Sequence, residues 1–157
     1  MSSGPLETEV NLIVEDGVVI DFDEARIRAL VEFALIEAGA SASWEVAVVL
    51  TTDARLRDLH RHFMGIDSET DVMTFPSEQS RGAAATSGDI IISVDRAAEQ
   101  GSDYGLTPEE ETEYLIVHGI LHLCGWDDHE DADRARMLAY QDEIINRFDT
   151  YWGSDER

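Results

Sequence analysis

The chain has 157 residues, 43% of them hydrophobic, which suits one globular domain and leaves little room for two. Its 34 acidic residues face 11 basic ones, all arginine, for a formal charge of −23, and such a field repels polyanions at long range. Apolar runs such as Val46–Leu50 are too short to span a membrane, no secretory signal is expected at the N-terminus, and the single cysteine, Cys124, excludes an internal disulfide framework and leans towards a reducing, cytoplasmic setting.

In chain order, residues 1–8 are polar, carry Gly4 and Pro5, and are expected to fray. Val10–Val14 reads as a first strand, and Gly17 marks a turn before a second β-rich run, Val18–Ile20. Asp21 or Asp23 can cap a helix through about Glu37, with Ile27, Leu30, Val31, Ala34 and Leu35 at helical spacing. Trp44–Leu50 is another strand. Thr51, Thr52 or Asp53 caps a helix to about Phe63, with Leu56, Leu59 and Phe63 on one face, and Gly65 stops it. Val72–Phe75 is a strand closed by Pro76, residues 77–87 read as a loop, and Gly88–Val94 is a further strand. A short helix, Asp95–Gln100, follows. Thr107-Pro108-Glu109-Glu110 is a strong helix start, with a Thr cap, Pro at the first position and Glu at the third. That helix runs to Leu123 and Gly125 ends it; a last helix spans about Asp131–Phe148. The expected fold is a single α+β domain: a mixed four-stranded sheet with helices packed beside it, and a metal site on a helix and the following loop.

The acidity has two readings. One is a chain that binds cations or basic partners. The preferred one is a surface suited to a high-salt cytoplasm, where a Debye length of about 3 Å at molar salt screens self-repulsion.

Three of five histidines fall within His118-Gly119-Ile120-Leu121-His122-Leu123-Cys124-Gly125-Trp126-Asp127-Asp128-His129. Four residues is about 400° of helix rotation, so His118 and His122 share one face, a turn apart, and can bind one cation. Beyond the glycine break, Asp127, Asp128 and His129 offer a third ligand. Three ligands and an open position favour catalysis over a structural site. Cys124 is a poor fourth ligand and reads better as a small buried residue. Zincin proteases carry Glu directly after the first His; Gly119 stands there, so a base must come from elsewhere or from water on the metal.

The histidine segment resembles the signature of the YbeY family, metal-dependent, single-strand-specific bacterial endoribonucleases. Thr70-Asp71-Val72-Met73-Thr74-Phe75-Pro76 and Gly88-Asp89-Ile90-Ile91-Ile92 resemble two further stretches of that family in order and spacing. The resemblance covers roughly residues 45–140. It implies a zinc hydrolase acting on single-stranded RNA, in maturation of the 16S rRNA 3′ end and in ribosome quality control, with rRNA and the ribosome as partners. The family pattern is His-x3-His-x5-His, whose third position falls here on Asp128, with His129 one further. The family places a methionine nine residues beyond its third histidine; Met137 is nine beyond Asp128 and eight beyond His129, which favours Asp128. The family also carries an arginine six residues before its Thr-Asp pair, where this chain has Met64. Arg61, on the basic stretch that also holds Arg55, Arg57, His60 and His62, is the substitute phosphate contact expected here.

The expected mechanism is phosphodiester hydrolysis with one zinc ion on His118, His122 and Asp128, the alternative third ligand being His129. Arg61 would stabilise phosphate charge, and Asp71 would orient an imidazole. Asp127 is expected to cap the following turn. Trp126 reads as a buried aromatic beside the ligand loop rather than a base-stacking platform. Competing readings are a metal-binding ribosome-assembly factor with little cleavage activity, and a metal-dependent hydrolase of another substrate.

Overall fold

A computed structural model describes residues 8–18, 22–40, 44–66, 70–76, 87–126 and 129–155, with side chains to 152. Four strands form one sheet: β1 (Glu9–Val14), β2 (Glu45–Thr51), β3 (Val72–Pro76) and β4 (Ser87–Ser93), in the spatial order β1-β2-β4-β3. The three strands β1, β2 and β4 run parallel, and β3 joins β4 antiparallel, so the sheet is mixed. Side chains alternate along β2 and β4, and the register Val46↔Gly88, Val48↔Ile90, Leu50↔Ile92 places the buried set of both strands side by side. The run expected at 18–20 is not confirmed as a strand. Val18 pairs with no strand, and residues 19–21 lie outside the described ones.

Five helices complete this α+β domain. Two of them, α1 (Glu24–Glu37) and α4 (Pro108–Leu123), join the strands in the main core, with Leu30, Val31, Ala34 and Leu35 of α1 and Ile116, Val117, Ile120 and Leu121 of α4 fully buried. Each of the leucine, isoleucine and valine side chains contributes about 1.5–3 kcal/mol. The long α5 (Asp131–Asp155) packs on α4 and α1 through Met137, Ile144 and Phe148. It passes the expected end at Phe148 because Trp152 stacks on Phe148 and Tyr151 on Phe33 of α1.

α2 (Asp53–Met64) is capped by Thr52, and α3 (Val94–Asp103) by Ser93, the last residue of β4. The starts of these two helices are bound together. Ser93 Oγ donates to Asp53, Arg96 pairs with Asp53 at 3.0 Å, and the Asp53 amide donates to Asp95. This tie aims the far end of α2 across the edge of β3. Phe63 does not reach the core as its spacing with Leu56 suggests; it remains largely exposed and meets Phe75 of β3 edge-on. Among the described residues, no helix is long and apolar enough to cross a membrane.

Candidate metal centre

α4 begins and ends on strong local signals. Thr107 and Glu110 close a reciprocal capping box, with Pro108 at the first position. At the other end Gly125 adopts φ 99°, a conformation that disfavours other residues. Its amide donates to the His122 carbonyl and the Trp126 amide to the Leu121 carbonyl, the paired bonds of a Schellman turn. That turn carries the Trp126 carbonyl back beneath the His122 ring, where it accepts from Nδ1 at 3.1 Å. The Trp126 ring is held by Tyr140, 5.0 Å between centroids, and packs against the core.

His118 is held differently. Its Nδ1 lies 3.0 Å from Oε1 of Gln141, a buried residue of α5. The Gln141 Nε2 donates to the Tyr114 carbonyl, which orients the amide so that its oxygen faces the imidazole. A carbonyl and an amide oxygen can only accept, so both Nδ1 atoms carry hydrogen. In the neutral rings the lone pairs therefore sit on the two Nε2 atoms, which face each other at 3.1 Å with ring planes 81° apart.

Two lone pairs at that distance repel unless a proton or a metal ion lies between them. Zinc bound to imidazole nitrogen at about 2.0–2.1 Å in a tetrahedron separates its ligands by about 3.3 Å. The pair therefore fits a tetrahedral divalent ion, with both rings already oriented from behind. Among the described residues no group of three donors closes around one point. Asp127 and Asp128 lie outside the described residues, and His129 lines the same cleft as the histidine pair.

That cleft has a volume of about 460 Å³. α2 supplies His60 and Met64, a turn apart, and β3 with its approach supplies Asp71 and Phe75. Among the described residues lining it, Asp71 is the sole carboxylate. Asp71 is fixed through its backbone carbonyl, which accepts from Ser93. Arg61 is not among the cleft-lining residues; its guanidinium pairs with Asp58 at 2.7 Å on the exposed side of α2. Met64, where the resemblance leads one to expect arginine, does line the cleft and is 60% exposed. The sequence reading missed Gln141, and it found His60 only as part of a basic run. Burial raises the Cys124 thiol above its ordinary value, as suits a half-buried packing residue.

Comparison with known proteins bears on the chain as a whole. A family model described as Endoribonuclease YbeY matches residues 15–149. The Endoribonuclease YbeY of Chloroflexus aggregans is 37% identical over 145 residues, covering 87% of this chain and 93% of that protein. The Endoribonuclease YbeY of Symbiobacterium thermophilum is 37% identical over 142 residues, covering 83% and 91%. The solution structure of TM1509 from Thermotoga maritima superposes with a TM-score of 0.62 at 25% identity, covering 94% of this chain and 93% of that one.

Proposed function

The chain belongs to the family of YbeY endoribonucleases, and on that premise we propose that it cleaves single-stranded RNA with one zinc ion, in maturation of the 16S rRNA 3′ end and in ribosome quality control. The work is then done in the cytoplasm, on the ribosome and its rRNA. The observation that carries the zinc assignment is the pair of Nε2 atoms 3.1 Å apart, each with its Nδ1 committed elsewhere. His118 and His122 hold the ion, with a third donor from Asp128 or His129. When bound, zinc makes water more acidic and polarises a phosphoryl oxygen.

The protein's own residues do the rest. Gln141 and the Trp126 carbonyl keep both imidazoles in the tautomer that presents Nε2. The cleft between α2, β3 and α4 offers room for a chain segment beside them, and the described histidines that line it offer polar edges to a phosphate backbone. Asp71 lines the same cleft, and its role in this reading is to orient a neighbouring imidazole or accept a proton. Arg61 enters as a peripheral phosphate contact, which requires it to leave Asp58.

The test is cleavage of single-stranded and double-stranded RNA by the zinc-loaded protein, with metal content measured in parallel. Wild type is expected to cut the single strand and hold one zinc. His118→Ala loses both. Separate Asp128→Ala and His129→Ala variants identify the third donor as the one whose loss removes the metal. Equal cleavage by wild type and His118→Ala sinks the assignment.

A further inference from the structure

A second cavity, of about 590 Å³, opens between α4, α5 and the turn that joins α3 to α4. That size suits a small organic molecule. Leu106, Leu138 and Ile145 give it apolar walls, and its polar lining is dominated by carboxylates. Most of these are already paired. Glu113 and Asp149 together hold Arg26, at 2.5 and 2.6 Å. Asp142 accepts from the Tyr114 hydroxyl at 2.7 Å, and Glu110 closes the capping box of α4.

Glu111 differs from all of them. It lines the cavity and is only 6% exposed, yet among the described residues it has neither a hydrogen bond nor an ion pair. Burial first, and then the nearby charge of Asp71, push its carboxyl up to about 7. Its oxygens meet the cavity with no countercharge beside them among the described residues, so ionising this carboxylate is costly, and a glutamine or an apolar side chain would avoid that cost. A cation from outside would satisfy it. Arg26, the one cation among the described lining residues, is held by two other carboxylates.

We propose that this cavity binds a small organic cation, an ammonium or guanidinium group on an apolar chain. The charged head sits on Glu111 and the chain lies along Leu106, Leu138 and Ile145. The site is distinct from the histidine cleft and stands whether or not the zinc assignment does. Affinity for the cation rises as Glu111 ionises. Of the groups around it, Arg26 on α1 keeps its charge, because Glu113 and Asp149 raise it further. Tyr114 on α4 keeps its proton, because burial and Asp142 raise it. Asp71 before β3, Glu110 and Glu113 on α4, and Asp142 and Asp149 on α5 are the other carboxylates around it.

The test uses the full chain with two probes of matching shape: n-hexylamine, a cation at neutral pH, and 1-hexanol, which lacks the charge. Calorimetric titration at about pH 8 is expected to show saturable amine binding at least about tenfold tighter than the alcohol. In Glu111→Gln that preference disappears. In wild type it weakens about tenfold between about pH 8 and pH 6, a readout that does not depend on the variant folding. Absence of saturable amine binding overturns the proposal. So does equal affinity for the two probes, a preference that survives in Glu111→Gln, or one that is indifferent to pH.

Discussion

Gly119 of α4 lies directly against Ile90 of β4: a β-carbon at position 119 would stand 2.8 Å from Ile90 Cγ2 and 3.1 Å from its Cγ1. Where a zincin protease has its catalytic glutamate, this chain has a point of close helix–sheet approach. Ile90 is fully buried and β-branched, so it cannot swing aside. Gly119→Ala gains about 1 kcal/mol of helix propensity and loses about 1–3 kcal/mol to overpacking. The expected net loss is up to about 2 kcal/mol, measured by urea unfolding. An unchanged midpoint would mean that α4 can lift off the sheet without cost.

Gln141 reaches His118 from a different helix and fixes which nitrogen faces the cleft. Gln141→Leu removes the acceptor and is expected to lower zinc affinity about 10–100-fold, read by competition with a chromophoric chelator. Gln141→Glu keeps an oxygen in place and should retain the affinity. If both variants bind zinc like wild type, the ring needs no support from behind.

Met64 offers a gain rather than a loss. It is exposed and lines the cleft, so Met64→Arg places a guanidinium where a phosphate would pass without disturbing the core. At moderate salt the KM for single-stranded RNA should fall several-fold, and the improvement should shrink as salt rises. A KM that does not move would place the RNA backbone elsewhere.

Glu111 makes a prediction for stability. Its folded value of about 7 lies above its ordinary value of 4.5, so the native state binds more protons than the unfolded chain between those limits. Stability contributed by this group therefore falls as pH rises through that window. Glu111→Gln is expected to exceed wild type by about 1–2 kcal/mol at about pH 8, a figure reduced for water in the cavity. The two should converge as the pH falls towards 4.5. Parallel stability curves would show that Glu111 is better solvated than its burial implies.

The helix that carries the histidines is legible in the sequence because its signals are local. Thr107, Pro108 and Glu110 announce its start, Gly125 its end, and a spacing of four puts both rings on one face. Other features depend on partners far along the chain. The last turns of α5 persist because Tyr151 meets Phe33, and nothing near residue 148 signals that contact. The place of β4 between β2 and β3 follows from matching buried ladders on separate strands, which periodicity alone does not order. Within the cleft, Met64 is legible only as a missing arginine. Gln141 carries no sequence signal at all, since a buried glutamine gains meaning only from the imidazole it touches. Arg61 shows the limit of helical spacing: His60 and Met64 turn towards the cleft, and the residue between them pairs with Asp58.

Trp126 packs against Tyr140 with the rings tilted, and the Tyr140 hydroxyl donates to the carbonyl of Glu37, the final residue of α1. The end of the turn that follows α4 is thus moored, through two rings, to the tip of a helix none of whose described residues lines the cleft. On the proposed zinc assignment, fraying at that tip would loosen the Trp126 carbonyl that holds the His122 ring, so a lesion near Glu37 is expected to release metal before the fold is lost.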